Sequence, residues 1–193
     1  MKNKYKKYDD LQLAEIISRK NGESEMAFKE LYDRYSAVLH AYCYRVVGDY
    51  DQAEDVFQET FIKFYKYVDN RDNANVKAYL FKIARNVHYN LIRNSKPTVD
   101  IENVENFIHE YVSYEQLEMN EIVLKSINLL NDEYKEIFVM REYSDLSYRD
   151  IAELLQISEE NAKTRFFRAK QKLMTIIKPY MQEYNTISLK EGR

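Results

Sequence analysis

Tyr50 to Asn94 reads YDQAEDVFQETFIKFYKYVDNRDNANVKAYLFKIARNVHYNLIRN, and this stretch decides the fold. It holds two helical patterns separated by a polar loop. In the first, Ala53, Val56, Phe57, Thr60, Phe61, Phe64 and Val68 recur at three- and four-residue steps, the period of a buried helical stripe. Asp51 is placed to cap this helix, with Glu54 three residues on to close a capping box. Asp55, Gln58, Glu59 and Lys63 fall on the other flank. The second pattern, Val76 to Arg93, buries Leu80, Ile83, Ala84, Val87 and Leu91. An all-α fold is expected.

The second helix carries a surface that folding alone does not require. Lys82, Arg85, Asn86, Tyr89, Asn90 and Arg93 share its outer face, and no acid occurs between Asp72 and Asp100. Cations neutralise phosphates, asparagine amides hydrogen-bond base edges, and tyrosine rings offer stacking platforms. The mixture suits a nucleic-acid strand whose bases are partly unstacked. The plainer alternative is a solvated helix face that happens to be basic.

AEDVFQETFIKFYKYV followed by AYLFKIARNVHYNLIRN resembles region 2 of the bacterial sigma-70 family of RNA polymerase sigma factors. The likeness is closest to the small extracytoplasmic-function (ECF) group, which keeps only regions 2 and 4. AFKELYDRYSAVLHAYCYRVVGD, just upstream, has the same family look.

Composition sets the frame around these motifs. Three glycines and two prolines in 193 residues argue against tightly turned sheets and for helices. The net charge of −3 does not by itself suggest DNA binding, but the basic residues cluster in two places while acids collect elsewhere. An acidic total predicts weak DNA binding by the isolated chain. Cys43 is the only cysteine and sits among apolar neighbours, which points to a buried, inert thiol. With no apolar run near membrane-spanning length and no signal peptide, a cytoplasmic chain without membrane insertion is expected.

Residues 1–9 are expected to fray. Asp10 is the predicted cap of a short helix ending near Asn21-Gly22, and a longer helix runs from about Glu25 to a C-cap at Gly48. Its predicted inner side holds Phe28, Leu31, Tyr32, Tyr35, Leu39, Tyr42 and Val46. One helical domain is thus predicted over 10–94. Residues 95–113 read as an acidic linker, in which Pro97 ends the preceding helix and Asp100, Glu102, Glu105 and Glu110 follow. Two readings of that acidity stand: a solvated tether, or, by the sigma resemblance, a segment that mimics nucleic acid near the RNA exit path of the polymerase.

A second helical domain is predicted over 114–178, with a tail at 179–193 that either frays or docks through Tyr180, Met181 and Tyr184. Its centre is LSYRDIAELLQISEENAKTRFFRAKQKL. Ser147 caps a short helix, Gln156-Ile157-Ser158 turns, and Ser158 caps a longer helix with acids in its first turn. This is a helix-turn-helix. Ala162, Phe166, Ala169 and Leu173 are the predicted core stripe. Asn161, Arg165, Arg168 and Lys172 form another, with Lys163, Thr164 and Lys170 beside it. Short polar residues followed by cations suit a helix in the major groove; a basic surface helix is the alternative.

LLNDEYKEIFVMREYSDLSYRDIAELLQIS resembles the lead-in to sigma region 4, whose recognition helix reads the −35 promoter element. Two positions depart from the family. Gln156 replaces the usual glycine of the turn, and Glu160 replaces a small residue early in the recognition helix.

The resemblance carries roles onto this chain. It implies that Asp51, Asp55, Gln58, Glu59 and Phe61 bind core RNA polymerase. It implies that Asn70, Arg71, Lys77, Tyr79, Lys82, Arg85, Asn86, Tyr89, Asn90 and Arg93 line the −10 region of promoter DNA. Ser158, Glu160, Asn161, Lys163, Thr164, Arg165, Arg168 and Lys172 then meet the −35 element. The loop departs from the family pattern at Asn70-Arg71-Asp72, and Tyr79 stands where tryptophan is frequent. Many ECF sigma factors are also held inactive by an anti-sigma factor.

Stacking one extruded base contributes about 1–3 kcal/mol, and unstacking it costs a few kcal/mol. The chain alone is therefore expected neither to melt DNA nor to bind it tightly. Two other classes compete with this one. A polymerase-independent helix-turn-helix regulator fits residues 125–175 but has no need of the 50–94 segment. An enzyme finds no support: His40, His88 and His109 form no Glu-x-x-His pair, and no HExxH, nucleophile elbow or phosphate-binding glycine loop occurs. No cofactor or metal is implied.

Overall fold

The computed structural model describes residues 4–68, 75–94 and 114–191; the side chains of 94, 114–120 and 181–191 are not described. Every regular element among the described residues is helical: a 3-10 turn at Lys4–Lys7, then α1 (Asp10–Ser18), α2 (Ser24–Val47), α3 (Tyr50–Tyr67), α4 (Val76–Asn94), α5 (Tyr114–Asn128), α6 (Asp132–Glu142), α7 (Tyr148–Leu155) and α8 (Glu159–Glu191). The chain divides into two compact units, Met1–Asn103 and Val104–Arg193. No described helix is long and apolar enough to cross a membrane.

In the first unit α1, α2, α3 and α4 enclose one core. Leu13, Ile17, Leu31, Leu39, Tyr42, Val56, Phe64, Leu80 and Phe81 are among its fully covered members. Tyr42 and Phe81 meet edge to face at 5.0 Å, a preferred aromatic geometry. A second aromatic cluster joins α2 to α3, with Phe61 4.8 Å from Tyr32, 5.3 Å from Phe57 and 5.9 Å from Phe28. Tyr32, expected inside, is more exposed than that, because the cluster sits at the rim of the α2–α3 contact.

Helix starts are fixed by short polar side chains, though not always the expected ones. Asp9, not Asp10, caps α1: its carboxylate accepts from the Gln12 amide at 2.8 Å, and Gln12 accepts from the Asp9 amide at 3.0 Å. Asp10 is thereby freed for Arg34, whose guanidinium lies 2.8 Å from it and 3.0 Å from Glu30. Arg34 also donates to the Tyr8 carbonyl at 2.9 Å, and Tyr5 is buried. Residues 4–9 are thus held down rather than frayed. Lys20, at φ 50, ends the α1 region earlier than Asn21-Gly22, and its ammonium donates to the Tyr65 carbonyl in the last turn of α3.

At α3 the cap is Asp49, not Asp51. Gly48 closes α2 in the left-handed conformation at φ 81, so Asp49 is the single extended residue available before α3 begins. Its carboxylate accepts from the Gln52 amide at 2.9 Å. Glu54 closes no capping box; it faces His40 at 3.2 Å and accepts from Gln58 at 2.7 Å.

The second unit packs α5, α6 and α7 on α8. Ile127, Ile137, Met140, Ile151, Ala162, Ala169 and Leu173 are buried, and Phe138 stacks on Phe166 at 6.1 Å. Asn131, Ser147 and Ser158 cap α6, α7 and α8, each accepting from an amide three residues on. α8 runs on through Pro179 to Glu191, so residues 179–191 continue the helix instead of forming a separate tail.

Candidate nucleic-acid and polymerase interface

Three helix faces carry the residues singled out above. α3 turns Ala53, Val56, Phe57, Thr60, Phe61 and Phe64 inward. Asp51, Asp55 and Gln58 remain outward, with Glu59 half-exposed and paired to Lys63 at 3.3 Å. Phe61, expected on this face, lies in the α2–α3 aromatic cluster. The apolar residue that does reach solvent beside Asp55, Gln58 and Glu59 is Ile62, one turn on. Periodicity could have found it: it lies outside the buried stripe and is one of few apolar residues there.

α4 begins where Asn75 accepts from the Ala78 amide at 3.0 Å. Leu80, Phe81, Ile83, Ala84, Val87 and His88 are buried, which leaves Lys82, Asn86, Tyr89, Asn90 and Arg93 exposed and Lys77 and Arg85 half-exposed. The guanidinium of Arg85 lies 4.6 Å over the Tyr89 ring, and Arg93 donates to the Asn90 side chain at 3.0 Å. A planar cation on an exposed ring, flanked by two amides, presents charge, a stacking surface and hydrogen-bonding groups together. Tyr79 is different. It is half-buried against Phe64 at 6.1 Å, and burial raises its hydroxyl pKa. Asn70 and Arg71 lie outside the described residues.

In the second unit α7, the turn at Gln156 and α8 form the helix-turn-helix. Gln156 takes the left-handed conformation, φ 54 and ψ 44, that a glycine would adopt without a Cβ penalty. The Ile157 amide then donates to the Ala152 carbonyl at 3.0 Å, and Ser158 caps α8 at 3.1 Å. Departure from the usual glycine therefore leaves the turn's backbone shape intact. Glu160, Asn161, Lys163, Thr164, Arg168 and Lys172 are exposed on α8, and Arg165 is partly covered. Phe167, not foreseen from the sequence, is 60% exposed on the same helix.

Cys43 is buried and its thiol is pushed up to about 12 by desolvation, so it is neutral and unreactive at ordinary pH. Among the described residues no group of three or more His, Cys, Asp or Glu side chains could hold a metal ion.

Fold and faces together define a helical DNA-binding protein: one unit with a basic, amide-rich helix face, the other with a helix-turn-helix. Residues 31–98 match the family description "Sigma-70 region 2" and residues 120–173 match "Sigma-70, region 4". The chain is 29% identical over 155 residues to the ECF RNA polymerase sigma factor SigM of Bacillus subtilis (strain 168), covering 78% of this chain and 95% of that protein. It is 30% identical over 181 residues to the ECF RNA polymerase sigma-E factor of Haemophilus influenzae, covering 86% and 95%. The structure of CnrH in complex with the cytosolic domain of CnrY superposes with a TM-score of 0.67 at 23% identity, over 88% of this chain and 97% of that one, which establishes a common fold. The chain belongs to the sigma-70 family and to its ECF group. It is an alternative sigma factor, a transcription initiation factor.

Proposed function

We propose that the first unit joins the chain to core RNA polymerase through the outer face of α3 and lays the non-template strand of the −10 region along α4. Asp51, Asp55, Gln58 and Glu59 make the polymerase contact, with Ile62 at its apolar centre. Lys82, Arg85, Asn86, Tyr89, Asn90 and Arg93 hold the strand. The second unit places α8 in the major groove of the −35 element, with Ser158, Glu160, Asn161 and Thr164 nearest the bases and Lys163, Arg165, Arg168 and Lys172 toward phosphates. The domain roles keep the same division: 10–94 for polymerase and −10 DNA, 114–178 for −35 DNA, and 95–113 as the tether. The chain acts in the cytoplasm, performs no catalysis of its own, and takes an anti-sigma protein as a further partner.

The observation that carries this reading is the sorting of α3 and α4. Two helices of one unit share a core, yet one shows acids and amides outward and the other cations, amides and a tyrosine. A stand-alone DNA-binding regulator has no use for the α3 face.

Transcription of fragmented genomic DNA by bacterial core polymerase, with and without the chain, tests the proposal. New transcript starts sharing two upstream elements are expected, and Asn86→Ala with Asn90→Ala should abolish them while the −35 contact survives. No new starts would reject the reading.

A further inference from the structure

The recognition helix meets α6 along a row of opposite charges. Arg165 lies 3.8 Å from Glu133 in the first turn of α6, and Lys170 lies 3.5 Å from Glu142 at its end. Within α8, Lys163 is 2.8 Å from Glu159. Arg168, by contrast, is exposed and makes no ion pair with an acid among the described residues. We infer that Glu133 and Glu142 compete with DNA phosphates for Arg165 and Lys170, so that the free chain keeps part of its recognition helix neutralised. The inference rests on α8 being the −35 helix.

The placement of Glu142 adds to this. Glu133 stands in the first turn of α6, where the helix dipole favours an acid; Glu142 ends the same helix, where the dipole disfavours one. Helix stability therefore gives no reason for an acid at 142, whereas Lys170 does. Both pairs stand at separations longer than a normal hydrogen bond, and of their four side chains only Arg165 is partly covered, so they are weak. A phosphate can displace the acid, but while the acid remains it repels the phosphate. The effect falls hardest on sequence-independent binding, which is almost wholly electrostatic. Polymerase-anchored docking at a promoter, where base contacts add to the grip, loses proportionally less. The two glutamates thereby restrain the unassembled chain from settling on DNA at large.

Anisotropy of a labelled duplex of arbitrary sequence, titrated with full-length chain at low ionic strength, tests this. Glu133→Gln/Glu142→Gln is expected to bind about threefold to tenfold tighter, the range that two weak surface pairs permit. Its salt dependence should steepen by up to about two ions, as two more cations reach phosphates. Glu121→Gln, a charge change at an acid paired with Lys125 on α5, controls for net charge and should leave the affinity nearly unaltered. Arg168→Ala should weaken binding in every background. If Arg168→Ala weakens binding but the double variant binds like the parent, or Glu121→Gln tightens as much as the double variant, the inference is overturned and the reading of α8 stands. If Arg168→Ala changes nothing, α8 is not the DNA contact and both fall.

Discussion

Phe61 and Ile62 are neighbours in sequence and opposites in space: the first is 4% exposed inside the α2–α3 aromatic cluster, the second 59% exposed on the outer face of α3. The pair separates folding from partner binding. Phe61→Ala should destabilise the first unit by about 3–5 kcal/mol, the usual cost of deleting a buried phenyl group. Ile62→Asp should leave the melting temperature nearly unchanged and weaken binding to core RNA polymerase at least tenfold. Equal loss of stability in both variants would contradict the placement.

Arg34 ties the N-terminal segment to the first unit. It serves Asp10, Glu30 and the Tyr8 carbonyl at once, and Glu30 is buried. Arg34→Met removes the guanidinium that lies 3.0 Å from that buried carboxylate. Arg34 and Asp10 keep partial contact with water, so the expected loss is reduced from the buried-pair range to about 1–3 kcal/mol. Urea unfolding measures it, and faster proteolysis near residues 4–9 should accompany it.

Gln156 holds a left-handed backbone with a Cβ attached. Gln156→Gly removes the local penalty, partly offset by the greater freedom of glycine in the unfolded chain, for a net gain of about 0.5–1 kcal/mol. The melting temperature of the second unit should rise. A fall would mean that the Gln156 side chain contributes more than its backbone costs.

Alkaline stability depends on Cys43. Burial raises its thiol from 9.0 to about 12 in the folded chain. Above pH 9 the unfolded chain releases this proton and the folded chain retains it, so stability is complete below that pH and is lost progressively toward 12. Tyr35 is shifted upward too, by burial and by its hydrogen bond to Asp10, and adds to the decline at the alkaline end. Cys43→Ala should show a shallower fall of stability between pH 9 and 11, and the parent thiol should react with thiol reagents only on unfolding.

Most of the helical architecture was legible because it rests on spacing. Val56, Phe64, Leu80 and Ala84 declare their burial by three- and four-residue steps, and Ser147 and Ser158 declare their caps by the helical runs directly after them. The misreadings are local competitions that spacing cannot rank. Asp9 and Asp10 are equally good caps; Arg34, contributed by another helix, claims the second and leaves the first. Asp49 and Asp51 compete likewise, and the left-handed Gly48 decides for Asp49. For Phe61 the family resemblance implies a binding role while its own stripe places it inside, and burial sides with the stripe. Phe167 lies off the stripe of Ala162, Phe166, Ala169 and Leu173, so its exposure was open to the same reading as that of Ile62, whereas the pairing of Glu133 with Arg165 depends on how α6 crosses α8, which no local pattern encodes.

The most direct measurement is binding of the purified chain to bacterial core RNA polymerase, alongside Asp55→Arg and Arg168→Ala. Tight binding that Asp55→Arg weakens and Arg168→Ala leaves intact is the expected result. It would separate the polymerase-binding unit from the DNA-reading one without knowledge of the promoter. Failure of the parent chain to bind, with duplex binding still dependent on Arg168, would contradict it and favour a regulator that works without the polymerase.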